Sequence, residues 1–172
     1  MVVDNGIPRI YAWGVCQVNG AIKNLAKGNT EIVAEMIQGA VGGELFEIDT
    51  VKSYPVDYTE CTNVAKVEIQ QKARPELKSY LASIDEYDKI FLGYPIWWSV
   101  PPMAVSTFLE HYDFSGKKIF PFATHEGSGL GGSVSYIKKI CPKAEVLDGL
   151  AIHGAEANQA FAQVSRWLNG KV

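Results

Sequence analysis

The chain has no Cys-x-x-Cys pair, and its three cysteines, Cys16, Cys61 and Cys141, are widely spaced. An odd, scattered set makes neither a disulfide framework nor a zinc site and reads as reduced thiols in a cytoplasmic protein. Charge of one sign is also missing: 16 Lys and Arg stand against 19 Asp and Glu, a formal net charge of -3. No basic run or stripe occurs, which argues against nucleic-acid binding. No apolar run reaches membrane-spanning length, and residues 1–9 lack the charged-then-apolar pattern of a secretory leader. The Walker pattern Gly-x-x-x-x-Gly-Lys-Ser/Thr is absent. Ser128 stands in Glu126-Gly127-Ser128-Gly129, not in the Gly-x-Ser-x-Gly elbow of a hydrolase nucleophile. His111, His125 and His153 have no metal-ligand spacing.

What is present is an alternation of short β-like runs and helix-period segments. The strand candidates are Arg9–Trp13, Glu44–Ile48, Lys89–Leu92, Lys118–Ala123 and Glu145–Leu150. Between them, Ile32, Val33, Met36, Ile37 and Ala40 share one helical face, as do Val134, Ile137, Ile140 and Cys141. Phe161, Val164, Trp167 and Leu168 repeat the spacing. Pro102 suits the first position of a helix through Met103, Val105, Phe108, Leu109 and Tyr112, and a further helix over residues 57–73 stops at Arg74-Pro75. At 172 residues the expectation is one doubly wound α/β domain, residues 1–172, on a parallel sheet. The Gly14–Lys27 segment is long for a βα connection and contains the turn signal Asn19-Gly20.

Ligands of open α/β sheets bind at the C-terminal ends of the strands, and three loops fall there. Gly28-Asn29-Thr30 precedes a helix: it reads either as plain capping by Asn or Thr, or as a phosphate site on unpaired N–H groups at the positive end of the helix dipole. Glu31 opposes an anion at the same place. Pro95-Ile96-Trp97-Trp98 follows a strand. A lone Trp is usually core, but two in succession bracketed by prolines are hard to bury together, and extended backbone sends them to opposite sides. A flat aromatic ligand, a flavin above all, suits such a pair. His125-Glu126-Gly127-Ser128-Gly129 follows the next strand. Gly127 through Gly132 also matches Gly-x-Gly-x-x-Gly, with Asp148 near the distance of a ribose-binding acid, so a nicotinamide-dinucleotide reading stands beside that of a simple or flavin-contacting Gly-rich loop. His125 is either an idle loop histidine or part of the site.

Taken in order, Gly28-Asn29-Thr30-Glu31-Ile32-Val33-Ala34-Glu35, Leu45-Phe46-Glu47-Ile48, Ala73-Arg74-Pro75-Glu76-Leu77, Phe91 through Trp98, Tyr112 through Lys117 and Thr124 through Leu130 resemble the flavodoxin-like family. The resemblance runs from about Lys27 to Leu168. It implies a three-layer α/β/α fold with a five-stranded parallel sheet in the order 2-1-3-4-5 and FMN at the strands' C-terminal edge. It further implies that Gly28, Asn29 and Thr30 cradle the phosphate, that Pro95, Ile96, Trp97 and Trp98 flank one side of the isoalloxazine, and that His125, Glu126, Gly127, Ser128 and Gly129 line the other. Related chains place Phe-Ser at the end of the first strand, with the hydroxyl on the phosphate. Here Trp13-Gly14 stands instead, and one lost bond to a charged group, about 1.5–3 kcal/mol, weakens binding roughly tenfold to a hundredfold.

Three functions follow. The first is an electron carrier serving a redox partner protein or a small-molecule acceptor, with no catalytic side chain and no metal. The second is an NAD(P)H-dependent flavin or quinone reductase, with Tyr94, Trp97, Trp98 and the Gly14–Lys27 segment around the acceptor and His125 to stabilise a developing anion or supply a proton. The third is a module that keeps the scaffold without a cofactor.

Overall fold

The computed structural model describes residues 9–14 and 27–171. Cys16 and the Asn19-Gly20 turn signal lie outside the described residues. Strands β1 (Arg9–Gly14), β2 (Glu44–Ile48), β3 (Lys89–Pro95), β4 (Lys118–His125), β5 (Glu145–Val146) and β6 (Leu150–His153) form one sheet. Its order is β2-β1-β3-β4-β5, with β6 also on β4, and every pairing is parallel. The helices are α1 (Asn29–Val41), α2 (Tyr58–Gln71), α3 (Met103–His111), α4 (Ser133–Ile140) and α5 (Phe161–Leu168), with a short 3-10 helix at Gly154–Gln159.

The expected fifth strand, Glu145–Leu150, is corrected: two strands take its place, so the sheet has six rather than five. Ile119 pairs with Val146 and Phe122 with Leu150, so the edge holds one more residue than β4 does over that stretch, as in a β-bulge. Pro121 supplies the reason. The Ile119 carbonyl accepts from Leu147 N–H, so Pro121, two residues on, also faces this edge. Proline has no N–H to give, and the ladder breaks where that donor is missing.

Alternation along the central strands divides the core in two. Ile90, Leu92, Tyr94, Ile119 and Ala123 pack with Val105, Phe108 and Leu109 of α3 and Ile137 of α4. Phe91, Phe120, Phe122 and Ile152 pack with Val33, Ala34 and Ile37 of α1 and Val164 and Leu168 of α5. The sheet is thus the middle of three layers. Asp57 starts α2 by accepting the Glu60 N–H, and Lys72 in the left-handed region ends it. Pro102 is the residue before α3 rather than its first, a shift of one position. Every loop after β3, β4 and β6, and the start of α1, therefore meets at one edge.

Candidate functional site

Gly28 is the cap residue, with φ -72° and ψ 151°, and among the described residues no side chain caps the helix. The first turn bond runs from Ile32 N–H to the Gly28 carbonyl at 3.0 Å, so the N–H groups of Asn29, Thr30 and Glu31 have no helical acceptor. Capping by Asn29 or Thr30 is thereby corrected: both lie inside the helix, and Thr30 turns its hydroxyl elsewhere. Its Oγ1 lies 2.7 Å from Oγ1 of Thr124, the penultimate residue of β4. Both residues are buried, at 6% and 5% exposure. Two hydroxyls sharing one hydrogen bond keep one hydrogen in reserve, and among the described residues nothing accepts it. Lys27 forms an exposed ion pair with Glu35.

The Thr30–Thr124 contact ties α1 to β4 across the sheet edge, and Thr124 was not among the candidate residues of the sequence. Thr124→Val is expected to leave the Thr30 hydroxyl buried without its partner, at a cost of about 1–3 kcal/mol. Urea unfolding with an unchanged m-value checks this.

After β3 the chain turns at once. Trp97 N–H donates to the Val100 carbonyl at 2.9 Å and Val100 N–H to the Trp97 carbonyl at 3.0 Å, closing a two-residue turn. Its central residues, Trp98 and Ser99, have φ 49° and 71°. Such turns favour Asn and Gly because β-carbons crowd the backbone there, and an L-residue pays about 1–2 kcal/mol for the left-handed region. The expectation that the two indoles diverge is corrected, since Trp98 is not extended. Both engage the segment 54–66. Trp97 meets the Tyr54 ring edge-on at 5.0 Å, and Tyr54 OH donates to Glu68. Trp98 Nε1–H donates to the Thr62 carbonyl at 3.0 Å, and the Lys66 ammonium lies 5.4 Å from its ring centre. Trp98 nevertheless remains 56% exposed. Tyr94 is fully buried, and its OH donates to Ser133 Oγ at 3.1 Å. Burial pushes this phenol up to about 12, against the opposing Ser133 bond. Tyr94 belongs to the core and does not line an acceptor pocket.

The loop after β4 is joined to this turn. Ile96 N–H donates to the Thr124 carbonyl, and Gly132 N–H to the Ser99 carbonyl at 2.8 Å. Between these ties, Gly127 sits at φ 136° and Gly129 at φ 58°. His125 Nδ1 accepts the Gly127 N–H at 2.9 Å. The N–H groups of Ser128 and Gly129 have no acceptor among the described residues. The Glu126 carboxylate and Asn29 amide converge over Gly154: a methyl there would lie 2.2 Å from Glu126 Oε1 and 2.8 Å from Asn29 Nδ2. A side chain at this position would displace the ends of both.

Gly28, Asn29, Thr30, Glu126, Gly127 and His125 thus share one end of the sheet, with Pro95, Ile96 and Trp97 beside them. Trp98 is at the rim. Asp148 does not join them. It falls in the β5–β6 bulge, its carbonyl taken by Trp167 Nε1–H, five residues short of the strand end at His153. At about 3.3 Å per residue that is roughly 16 Å below the edge, too deep for a ribose partner. Among the described residues no group of three His, Cys, Asp or Glu could hold a metal ion, and no helix is long and apolar enough to cross a membrane. A cavity of about 230 Å³ lined by Leu109, Tyr112, Phe114, Ile140 and Cys141 lies at the opposite edge of the sheet.

This architecture has relatives among solved structures. A candidate flavoprotein from Bacteroides eggerthii is 31% identical, with a TM-score of 0.77 over 94% of this chain and 96% of that one. Another from Bacteroides uniformis is 29% identical, also with a TM-score of 0.77, over 94% and 97%. A Lactobacillus acidophilus flavoprotein in complex with FMN shares the fold at 20% identity, with a TM-score of 0.68 over 93% and 97%. No curated protein matches the chain. The sequence model described as flavodoxin matches residues 22–171, and on that match and the Bacteroides likeness the chain belongs to the flavodoxin family.

Proposed function

We propose that this protein binds FMN at the C-terminal edge of its sheet and serves as an electron carrier, a single domain over residues 1–172. The observation that carries the reading is the pairing of two sets of donors without acceptors among the described residues, set across the Thr30–Thr124 contact. On one side are the backbone N–H groups at the mouth of α1 and the spare threonine hydrogen. On the other are the N–H groups of Ser128 and Gly129. The first set suits a phosphate, which a helix N-terminus stabilises by its dipole and its free donors. The second suits the polar edge of an isoalloxazine. Pro95, Ile96, Trp97 and Trp98 supply its apolar flank, and His125, Glu126 and Gly127 the other wall. When bound, FMN supplies one- and two-electron chemistry; the chain's residues bind it, orient it and limit water.

No side chain is assigned a catalytic role in the carrier. A net charge of -3 gives weak long-range steering, so the partner, a protein or a small-molecule acceptor, docks by contact at the exposed rim. The cytoplasm is the proposed compartment. A reductase reading draws on Trp98, whose exposed ring in a strained turn offers a planar acceptor a surface. The scaffold without cofactor is the remaining alternative.

FMN titrated into the purified apoprotein decides among them. Saturable quenching of FMN fluorescence, with flavin absorbance retained after gel filtration, is expected. No quenching at any ratio leaves only the cofactor-free module. Stopped-flow mixing of the loaded protein with NADH or NADPH then separates the other two: no flavin bleaching on a turnover timescale leaves the carrier.

A further inference from the structure

We propose that the Glu126 carboxylate and the Asn29 side-chain amide form a hydroxyl-reading pair, seated over Gly154, that holds the polyhydroxylated chain linking phosphate to ring. The inference rests on the flavin reading of this edge and deepens it, because it assigns side chains to the stretch between the two sets of donors.

Adjacent elements bring the pair together. His125 ends β4 and His153 ends β6, and the two are register partners. Glu126 follows the first directly and Gly154 the second. Asn29 opens α1, and Gly154, which is buried, opens the 3-10 helix. A β-carbon on Gly154 would lie 2.2 Å from Glu126 Oε1 and 2.8 Å from Asn29 Nδ2. The two side-chain ends thus occupy the space that a side chain at position 154 would fill. Neither end has a hydrogen-bond partner among the described residues.

The chemistry of the pair is complementary. A carboxylate only accepts hydrogen bonds, and an amide nitrogen only donates them. A hydroxyl does both, so one hydroxyl can give its hydrogen to Glu126 and take one from Asn29. A phosphate would be repelled by the carboxylate, and an apolar ring face would leave both ends unsatisfied. The position selects the same chemistry. Asn29 adjoins the backbone donors at the start of α1, and Glu126 precedes Ser128 and Gly129, whose N–H groups form the other set. A ligand that spans both sets carries its linking chain past the pair. The bond to Glu126 is charge-assisted and the stronger of the two.

The test compares riboflavin with lumiflavin, which carries a methyl group in place of the hydroxylated chain. Neither has a phosphate, so α1 does not enter the comparison. Fluorescence quenching gives both affinities in the wild type and in the variants. Glu126→Ala is expected to weaken riboflavin about tenfold, the loss of one bond to a charged group. Asn29→Ala, which keeps its backbone N–H, is expected to weaken it about fivefold. Glu126→Gln keeps an accepting oxygen without the charge and falls between the wild type and Glu126→Ala. Gly154→Ala pushes both ends aside and is expected to lose at least as much as Glu126→Ala. Lumiflavin affinity is expected to stay constant throughout. Riboflavin binding left intact by the variants, or both ligands weakened alike, overturns the proposal. Glu126 is exposed, so Glu126→Ala decides where Gly154→Ala does not fold. If neither ligand binds the wild type, the flavin reading and the pair fall together. If both bind and the variants do not tell them apart, the pair alone falls.

Discussion

Gly93→Val is expected to cost the fold about 3–5 kcal/mol, a large share of the roughly 5–15 kcal/mol that holds a domain of this kind together. Gly93 lies in β3 directly across from Phe122 in β4. The phenyl ring covers the glycine so closely that a β-carbon would sit 2.3 Å from Phe122 Cζ and 2.5 Å from Cε2. Phe122 has no exposed surface and packs in the core with Val33, Ala34 and Ile37 of α1. The ring cannot retreat without pushing on that helix, so the loss approaches that of removing a buried Phe. The consequence reaches function, because α1 carries the open donors at Asn29, Thr30 and Glu31. Urea unfolding measures the cost. The double variant with Phe122→Leu separates the clash from the site: if the steric account is right, the second change restores part of the lost stability, a coupling that independent effects would not give. Simple addition of the two losses would refute it.

That contact also shows where sequence reading stops. The run Lys89–Leu92 announces a strand by its apolar residues, and the structure carries it on to Pro95. Glycine and proline inside strands are local signals of bulges and close approach. Pro121 was therefore a legible warning that its neighbour would break, although nothing said which edge faced the missing donor. The helices were legible by period: Phe161–Leu168 is helical to the residue. The loops at Gly28, Trp97 and His125 were legible as an edge because each follows or precedes such an element. What joins them was not. Thr30 and Thr124 are 94 positions apart, and no local pattern marks two threonines that will share a hydrogen bond. His153 and Gly154 are hidden because the run Glu145–Leu150 points to a strand that ends before them, whereas β6 runs on to His153. The left-handed turn at Trp98 and Ser99 runs against local preference, and such violations concentrate at sites under functional demand.

FMN is expected to bind the apoprotein at least about a hundredfold more tightly than riboflavin, which lacks only the phosphate. Each hydrogen bond from a backbone N–H to a charged group contributes about 1.5–3 kcal/mol, and the mouth of α1 offers the donors of Asn29, Thr30 and Glu31. Two such bonds give about 3 kcal/mol at the low end, which is two orders of magnitude in affinity. The helix dipole adds to this and salt subtracts from it, so the ratio should shrink as ionic strength rises. Two features of this chain limit the gain. Glu31 places a carboxylate in the first turn of α1, and Trp13-Gly14 supplies no side-chain hydroxyl at the end of β1. Riboflavin affinity isolates the share of the ring loops. Parallel fluorescence titrations with the two ligands make the comparison. Equal affinities would mean that the phosphate is not held at α1 and that whatever binds does so through the Trp97 and Gly127 loops alone.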